Sequence, residues 1–217
     1  MKRKTLLLML LMALIAPWGA KAQTYIASDA GIIGTGMNGS TYEVPINLYY
    51  KSFVTQQIYT ANEIGISSGT IKTISFQFNH TTSVTSNAFT LYLGNTTKSS
   101  FTSDTDWITT SNMTNMGSYT ITTGNVSGGW VTITLNSTFS YNGNNLVVCL
   151  FDDNQDSYPG TSSSNWRYTT TSDYKTMYYR TDSGTAPTIT SSTTGTRTYN
   201  RPNIKLNIGS TSVTTLL

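Results

Sequence analysis

Five stretches of this chain alternate apolar and polar residues with a period of two, and after residue 22 no apolar set recurs at helical spacing. Ile46, Leu48 and Tyr50 form one such set; Ile74, Phe76 and Phe78, Phe89, Leu91 and Leu93, Val131, Ile133 and Leu135, and Ile204, Leu206 and Ile208 form the others. Successive side chains of a strand point to opposite faces, so each set lines one inward face, with Thr, Asn, Gln, Lys or Tyr on the other. The fold class is therefore all-β. Residues 146–151 are apolar on both parities, which predicts a central strand covered on both sides. Tyr119 and Ile121, Trp166 and Tyr168, and Met177 and Tyr179 mark further strands, separated by turn chemistry such as Gly128 with Gly129 and Asn142 to Asn145. Roughly nine or ten antiparallel strands result, and they fit a two-sheet jelly-roll β-sandwich. Thr60 to Ile64 is the one helical turn expected, because Thr60 caps with Glu63 three residues on. Residues 185–199, rich in Ser and Thr, read as a long connection before a closing strand at 202–208.

The start of the chain carries an address. Lys2, Arg3 and Lys4 precede an apolar run from Leu6 to Ala16, too short to span a bilayer, and Ala20, Lys21 and Ala22 make a small-x-small cleavage site. Residues 1–22 are expected to be a signal peptide cut between Ala22 and Gln23, 23–208 one domain, and 209–217 a tail or the start of a linker. The residue after the cut is Gln23 and not a cysteine, so the new N-terminus is expected to have no thiol to carry a lipid. The exported protein is expected in the medium or at the outer cell surface, with no transmembrane segment. Of the 13 Lys and Arg, four leave with the signal, so nine face 10 Asp and Glu and the net charge of +3 becomes about −1. No basic patch remains for nucleic acid. Cys149 is the single cysteine and lies in an apolar run, as a small buried hydrophobe. Stability must come from packing, or from packing with a metal.

Several motifs imitate chemistry. Gly34 to Gly39 matches G-x-G-x-x-G, but Pro45 and strand-like residues follow where a dinucleotide site needs a helix. Gly65 to Gly69 matches G-x-S-x-G around Ser67, but a strand follows and His80 is the single histidine. No zinc site can be built on His80 alone.

Two constellations remain. Asp152, Asp153, Asn154 and Asp156 concentrate oxygen donors in five residues after the most buried strand, as structural Ca2+ requires; the same residues also suit a plain turn. Asp104 and Asp106 are distant candidates to complete such a site. The second is aromatic and basic, running from Tyr158 through Tyr174 and Tyr179, with Trp166, Arg167, Tyr168, Tyr178 and Arg180 as its candidate ligand-binding residues. Aromatic faces beside Arg suit sugar rings, and strand alternation equally allows half of these side chains to be core.

Further segments carry a family resemblance: Ile33 to Gly36, Val44 to Tyr50, Gln56 to Gly65, Gly69 to Phe76, Lys98 to Phe101, Asp106 to Ile108, Gly129 to Leu135, Phe139 to Gly143 and Asp152 to Asn154. Over roughly residues 32–208 the chain resembles a Bacteroidetes-type secreted jelly-roll module of multidomain surface proteins, similar to gingipain-associated adhesin domains. The resemblance implies an extracellular setting and brings no catalytic residues with it. The expectation is a non-enzymatic interaction module for adhesion or carbohydrate recognition, its partner an extracellular glycan or surface protein. A structural accessory or spacer domain of a larger surface protein is the alternative. A glycosidase built on Glu43 or Glu63 with an Asp is the third, since that chemistry needs two carboxyl groups across a cleft.

Overall fold

The computed structural model describes residues 23–34, 36, 40–41, 43–79, 85–153, 166–184, 186, 188–190 and 192–213. The signal segment, His80, Asn154 and Asp156 lie outside the described residues. The chain divides into two units, Ala27–Ser210 and a smaller one from its ends, and the fold described here is that of the first.

In chain order the strands are β1 (Gln23–Ile33), β2 (Ser40–Thr41), β3 (Ser52–Tyr59), β4 (Gly69–Gln77), β5 (Phe89–Thr96), β6 (Thr114–Tyr119), β7 (Val126–Ser127), β8 (Trp130–Tyr141), β9 (Asn145–Asp152), β10 (Trp166–Thr170), β11 (Thr176–Thr181), β12 (Thr196–Thr198), β13 (Asn200–Pro202) and β14 (Ile204–Val213). One sheet has the order β1-β14-β4-β8-β7, another β12-β11-β3-β9-β5-β6, and a short third sheet is β13-β10-β2. Taking β1, β3, β4, β5, β6, β8, β9 and β14 as strands one to eight, the two large sheets read 1-8-3-6 and 2-7-4-5. That is the order of two interlocked Greek keys, a jelly-roll sandwich. The strand number exceeds the expected nine or ten because β2, β7, β12 and β13 are two- or three-residue pieces. Strands β10 to β13 form an insertion between the seventh and eighth strands of the frame.

The interior between the sheets collects the alternating sets: Ile74, Phe76 and Phe78, Phe89, Leu91 and Leu93, Val131, Ile133 and Leu135, and Ile204, Leu206 and Ile208 are all buried there. Burying each such side chain is worth roughly 1.5–3 kcal/mol. Leu146, Val148 and Leu150 of β9 point into this core, whereas Val147 and Cys149 point outward into a second one with Val54, Ile58, Phe101, Trp107, Ile108, Met177 and Ile189. The segments around 97–113 and 186–195 thus form a third layer over the six-stranded sheet, as two-sided burial of β9 demanded.

Strand β3 is the structural surprise. Every residue of Ser52–Tyr59 is buried, yet two consecutive glutamines hide it from any hydrophobic pattern. Gln56 is accommodated because its amide grips the third layer: Ile108 N–H donates to Oε1 at 3.0 Å and Nε2 donates to the Ile108 carbonyl at 2.6 Å. The side chain imitates a neighbouring strand and satisfies both backbone groups of a buried residue.

Residues 46–50, expected as a strand, form bends. Asn47 is the reason: its Oδ1 accepts the N–H groups of Tyr49 and Tyr50 at 2.9 and 2.8 Å, a local bond pattern that turns the chain. Ile46 and Leu48 are buried nonetheless. The expected helical turn is α1 (Ala61–Ile64), with the Glu63 carboxylate accepting the Thr60 N–H at 2.9 Å and Gly65 closing the other end at φ 68°. Among the described residues no helix is long and apolar enough to cross a membrane.

Candidate functional site

The five candidate ligand-binding residues do not form one surface. Trp166 is fully buried, its indole Nε1 donates to the Ile46 carbonyl at 2.8 Å, and its ring meets Phe78 at 5.1 Å and Phe76 at 6.3 Å. It is a core side chain with no face left for a sugar. Arg167 and Tyr168 follow it on β10 in the short sheet, whereas Tyr178 and Arg180 belong to β11 in the six-stranded sheet. Only Tyr178 and Arg180 come together, two residues apart on one face, opposite Thr55 and Phe53 of β3.

Around these two a site is built. Arg180 Nη2 lies 3.0 Å from Glu43 Oε1, and its guanidinium sits 4.2 Å above the Tyr50 ring and 5.9 Å from that of Tyr178. Burial and then the Glu43 charge push the Tyr178 phenol up, so it stays protonated and able to donate. An open cleft of about 410 Å³ runs past Tyr50, Tyr178, Tyr179, Arg180 and the segment Thr194 to Thr196. That segment is seated by its glycine: a Cβ on Gly195 would come within 2.3 Å of the Trp107 ring. The Gly195 N–H donates to the Asp104 carbonyl at 2.7 Å, and Asp104 also pairs with Arg197 at 2.7 Å. The cleft combines aromatic faces, the exposed edge of a fixed guanidinium, a carboxylate and threonine hydroxyls.

The Thr194 to Thr196 wall had no role in the sequence reading, which took Tyr50 as an inward strand residue and Glu43 as a candidate glycosidase carboxylate. Residues 43–50 looked like a strand and 194–196 like a featureless connection, and only the pairing of β11 with β12 brings the wall to Tyr178, whose partner is Thr196. Arg180 itself was visible, with Arg167, as a cation among tyrosines.

A second cleft, about 470 Å³, lies beside Asn95, Lys98, Trp107, Asn112 and Asn144. Its polar groups are largely spent within the protein. Asn95 bonds the Ser140 carbonyl and the Asn142 N–H at 3.0 and 3.1 Å, Asn112 bonds Thr109 at 3.1 Å, and Lys98 pairs with Asp106. It reads as a seam of the third layer.

The oxygen-rich turn is divided. Asp152 is buried at the end of β9 and Asp153, next along the chain, is exposed, so the two carboxylates leave the strand in different directions. Asp104 and Asp106, the distant candidates, are held in ion pairs with Arg197 and Lys98. Among the described residues no three His, Cys, Asp or Glu side chains gather as a metal would need.

The carboxylates considered for glycosidase work are also engaged. Glu43 pairs with Arg180, and Glu63 with Arg201 at 2.7 Å. Burial would raise the Glu63 carboxyl, but the Arg201 and Thr60 hydrogen bonds and the Arg201 charge outweigh it and bring it to about 2. A general acid needs the opposite shift. Burial pushes the Cys149 thiol up to about 12, far from a nucleophile's range. Ser67 lies exposed between α1 and β4, with no helix behind it. Compared with family models, characterised proteins and solved structures, the chain matches none.

Proposed function

We propose that this domain is an exported, non-enzymatic recognition module that binds carbohydrate at the Tyr50–Tyr178–Arg180 cleft. The observation that carries the reading is the fixed guanidinium: Arg180 is held by Glu43 at 3.0 Å and by the Tyr50 ring at 4.2 Å in an open cleft. The guanidinium is locked before binding, with Nη1 buried and Nη2 on Glu43, and its exposed edge offers a sugar hydroxyl a charged donor at little entropic expense while tyrosine faces accept the C–H face of the ring. The leader-like residues 1–22, the resemblance to secreted surface modules and the engaged state of Glu43, Glu63 and Cys149 support it.

The test is a glycan array with the wild type, Arg180→Ala and Tyr178→Ala. A hydrogen bond to a charged group contributes about 1.5–3 kcal/mol, so Arg180→Ala should weaken binding roughly 10- to 100-fold while melting stays cooperative. Binding that survives both substitutions would move the site elsewhere. Silence of the wild type across the array would favour the spacer role.

A further inference from the structure

Among the described residues only Ile32 and Tyr199 are large hydrophobic side chains left exposed, Tyr199 at 41 %. Tyr199 is not loose. Its ring stacks on Tyr174 with centroids 4.1 Å apart and planes 24° apart, and the Arg197 guanidinium lies over Tyr174 at 4.5 Å. Two groups cannot occupy the same ring face at those separations, so the three form an ordered stack, Arg197 on Tyr174 on Tyr199. The inner end is fastened, because Arg197 Nε bonds Asp104 at 2.7 Å and Nη1 reaches the Phe101 carbonyl at 3.4 Å. The outer end is fastened through the backbone, where the Tyr199 carbonyl accepts both the Thr171 N–H and its hydroxyl at 2.9 Å. Tyr174 itself packs on the second core. What remains is the outer face of one immobilised tyrosine, with the exposed carboxylate of Asp173 next to its stacking partner.

An aromatic ring kept rigid and wet is a platform for a flat apolar surface, and tyrosine orders at small entropic expense because it has two side-chain torsions. The platform also has an address relative to the proposed cleft. Thr196, the strand partner of Tyr178, is three residues from Tyr199 but on the sheet face opposite to Arg197, whose partner is Met177; β12 is the edge strand, so a ligand that reaches both positions passes over that edge. Three extended residues span about 10 Å at most. The cations on both sides are already paired within the protein, Arg180 with Glu43 and Arg197 with Asp104, so neither position demands an anionic ligand.

We propose that Tyr199 is a second sugar-stacking position, and that the domain therefore selects neutral oligosaccharides of several residues over single sugars. This rests on the reading that the Arg180 cleft holds one sugar unit. The outer face of Tyr199 takes the C–H face of a unit further along the same chain.

Ladders of cello-, xylo- and manno-oligosaccharides, from disaccharide to hexasaccharide, provide the test by calorimetric titration. An extra aromatic stack is worth about 0.5–1.5 kcal/mol, so affinity for the recognised ladder should step up about 2- to 10-fold once the chain reaches Tyr199. Tyr199→Ala should abolish the step and leave the shortest ligand bound as before, with Tyr199→Phe restoring it. In Tyr199→Trp, the new indole emission should shift to the blue with long ligands and stay unchanged with short ones. A ladder bound without dependence on length, or a step that persists in Tyr199→Ala, overturns the second position while leaving the cleft in place. If Arg180→Ala leaves the short ligand bound and Tyr199→Ala abolishes all binding, the cleft assignment falls and with it the idea of two positions. No binding to any ladder overturns the proposal.

Discussion

Replacing Glu63 by glutamine removes one negative charge from a pair whose other half is almost sealed. Arg201 has only 2 % of its side chain exposed and donates two bonds to Glu63, at 2.8 and 2.7 Å, and a third to the Ile58 carbonyl at 3.1 Å. Its guanidinium also lies 4.8 Å above the Tyr59 ring. The Glu63→Gln amide keeps an oxygen for Thr60 and one bond to Arg201, so the substitution removes the charge together with the second Arg201 bond. The fall of the Glu63 carboxyl from 4.5 to about 2 corresponds to at most ~3.4 kcal/mol. The glutamate side chain is 31 % exposed, and solvent screening reduces the contribution to about 2 kcal/mol. For a domain of this size that is a melting temperature lower by roughly 4–8 °C at pH 7. A carboxyl with a depressed pKa stabilises fully above its unfolded value and loses that contribution as pH falls through the folded one. The wild-type advantage should thus be constant above about pH 5, shrink from about pH 4.5 to about 2, and vanish below. Thermal melts by circular dichroism at half-unit pH steps measure it. Wild-type and Glu63→Gln curves that stay parallel down to pH 2 would refute the assignment of this stability to the Glu63 charge.

Trp166→Ala should cost about 3–5 kcal/mol and abolish or strongly lower cooperative melting, whereas Tyr178→Ala at the half-buried cleft should leave the melt nearly unchanged. Gln56→Leu strands the buried N–H and carbonyl of Ile108, so it should cost about 2–4 kcal/mol and raise hydrogen exchange at Ile108 while β4 amides keep their protection. Because burial holds the Cys149 thiol at about 12, an aromatic disulfide reagent at pH 8 should label it only at the rate of unfolding; prompt labelling of the native protein would contradict the sealed second core.

The frame was legible wherever one face of a strand meets the core. Ile74, Phe76 and Phe78 or Ile204, Leu206 and Ile208 advertise themselves because their neighbours are polar and outward. Legibility failed where polar side chains do interior work. Gln56 is buried by a partner 52 residues away, so β3 has no local signature although it is the most enclosed strand. Asn47 bends a stretch whose alternation promised extension, because its bonds to Tyr49 and Tyr50 compete with strand geometry. Of the site, Tyr178 and Arg180 were named because an i, i+2 spacing is a local fact. Tyr50, Glu43 and Thr196 became neighbours only through the closure of β11 against β3 and β12. Trp166 shows the converse: its composition-level promise as a sugar platform gives way to Phe76 and Phe78.

Strand β14 lies between β1 and β4, so the earliest and latest parts of the frame are hydrogen-bonded neighbours. The first strand has no partner until the last has been synthesised, and long-range pairings of this kind form slowly. In a growing chain of this design the six-stranded sheet and the β4–β8 pair have all their strands before β14 is made, but the first strand stays unpaired until that final one arrives. On the proposed reading of an exported chain, this topology holds back closure of the frame until the last strand has crossed the membrane.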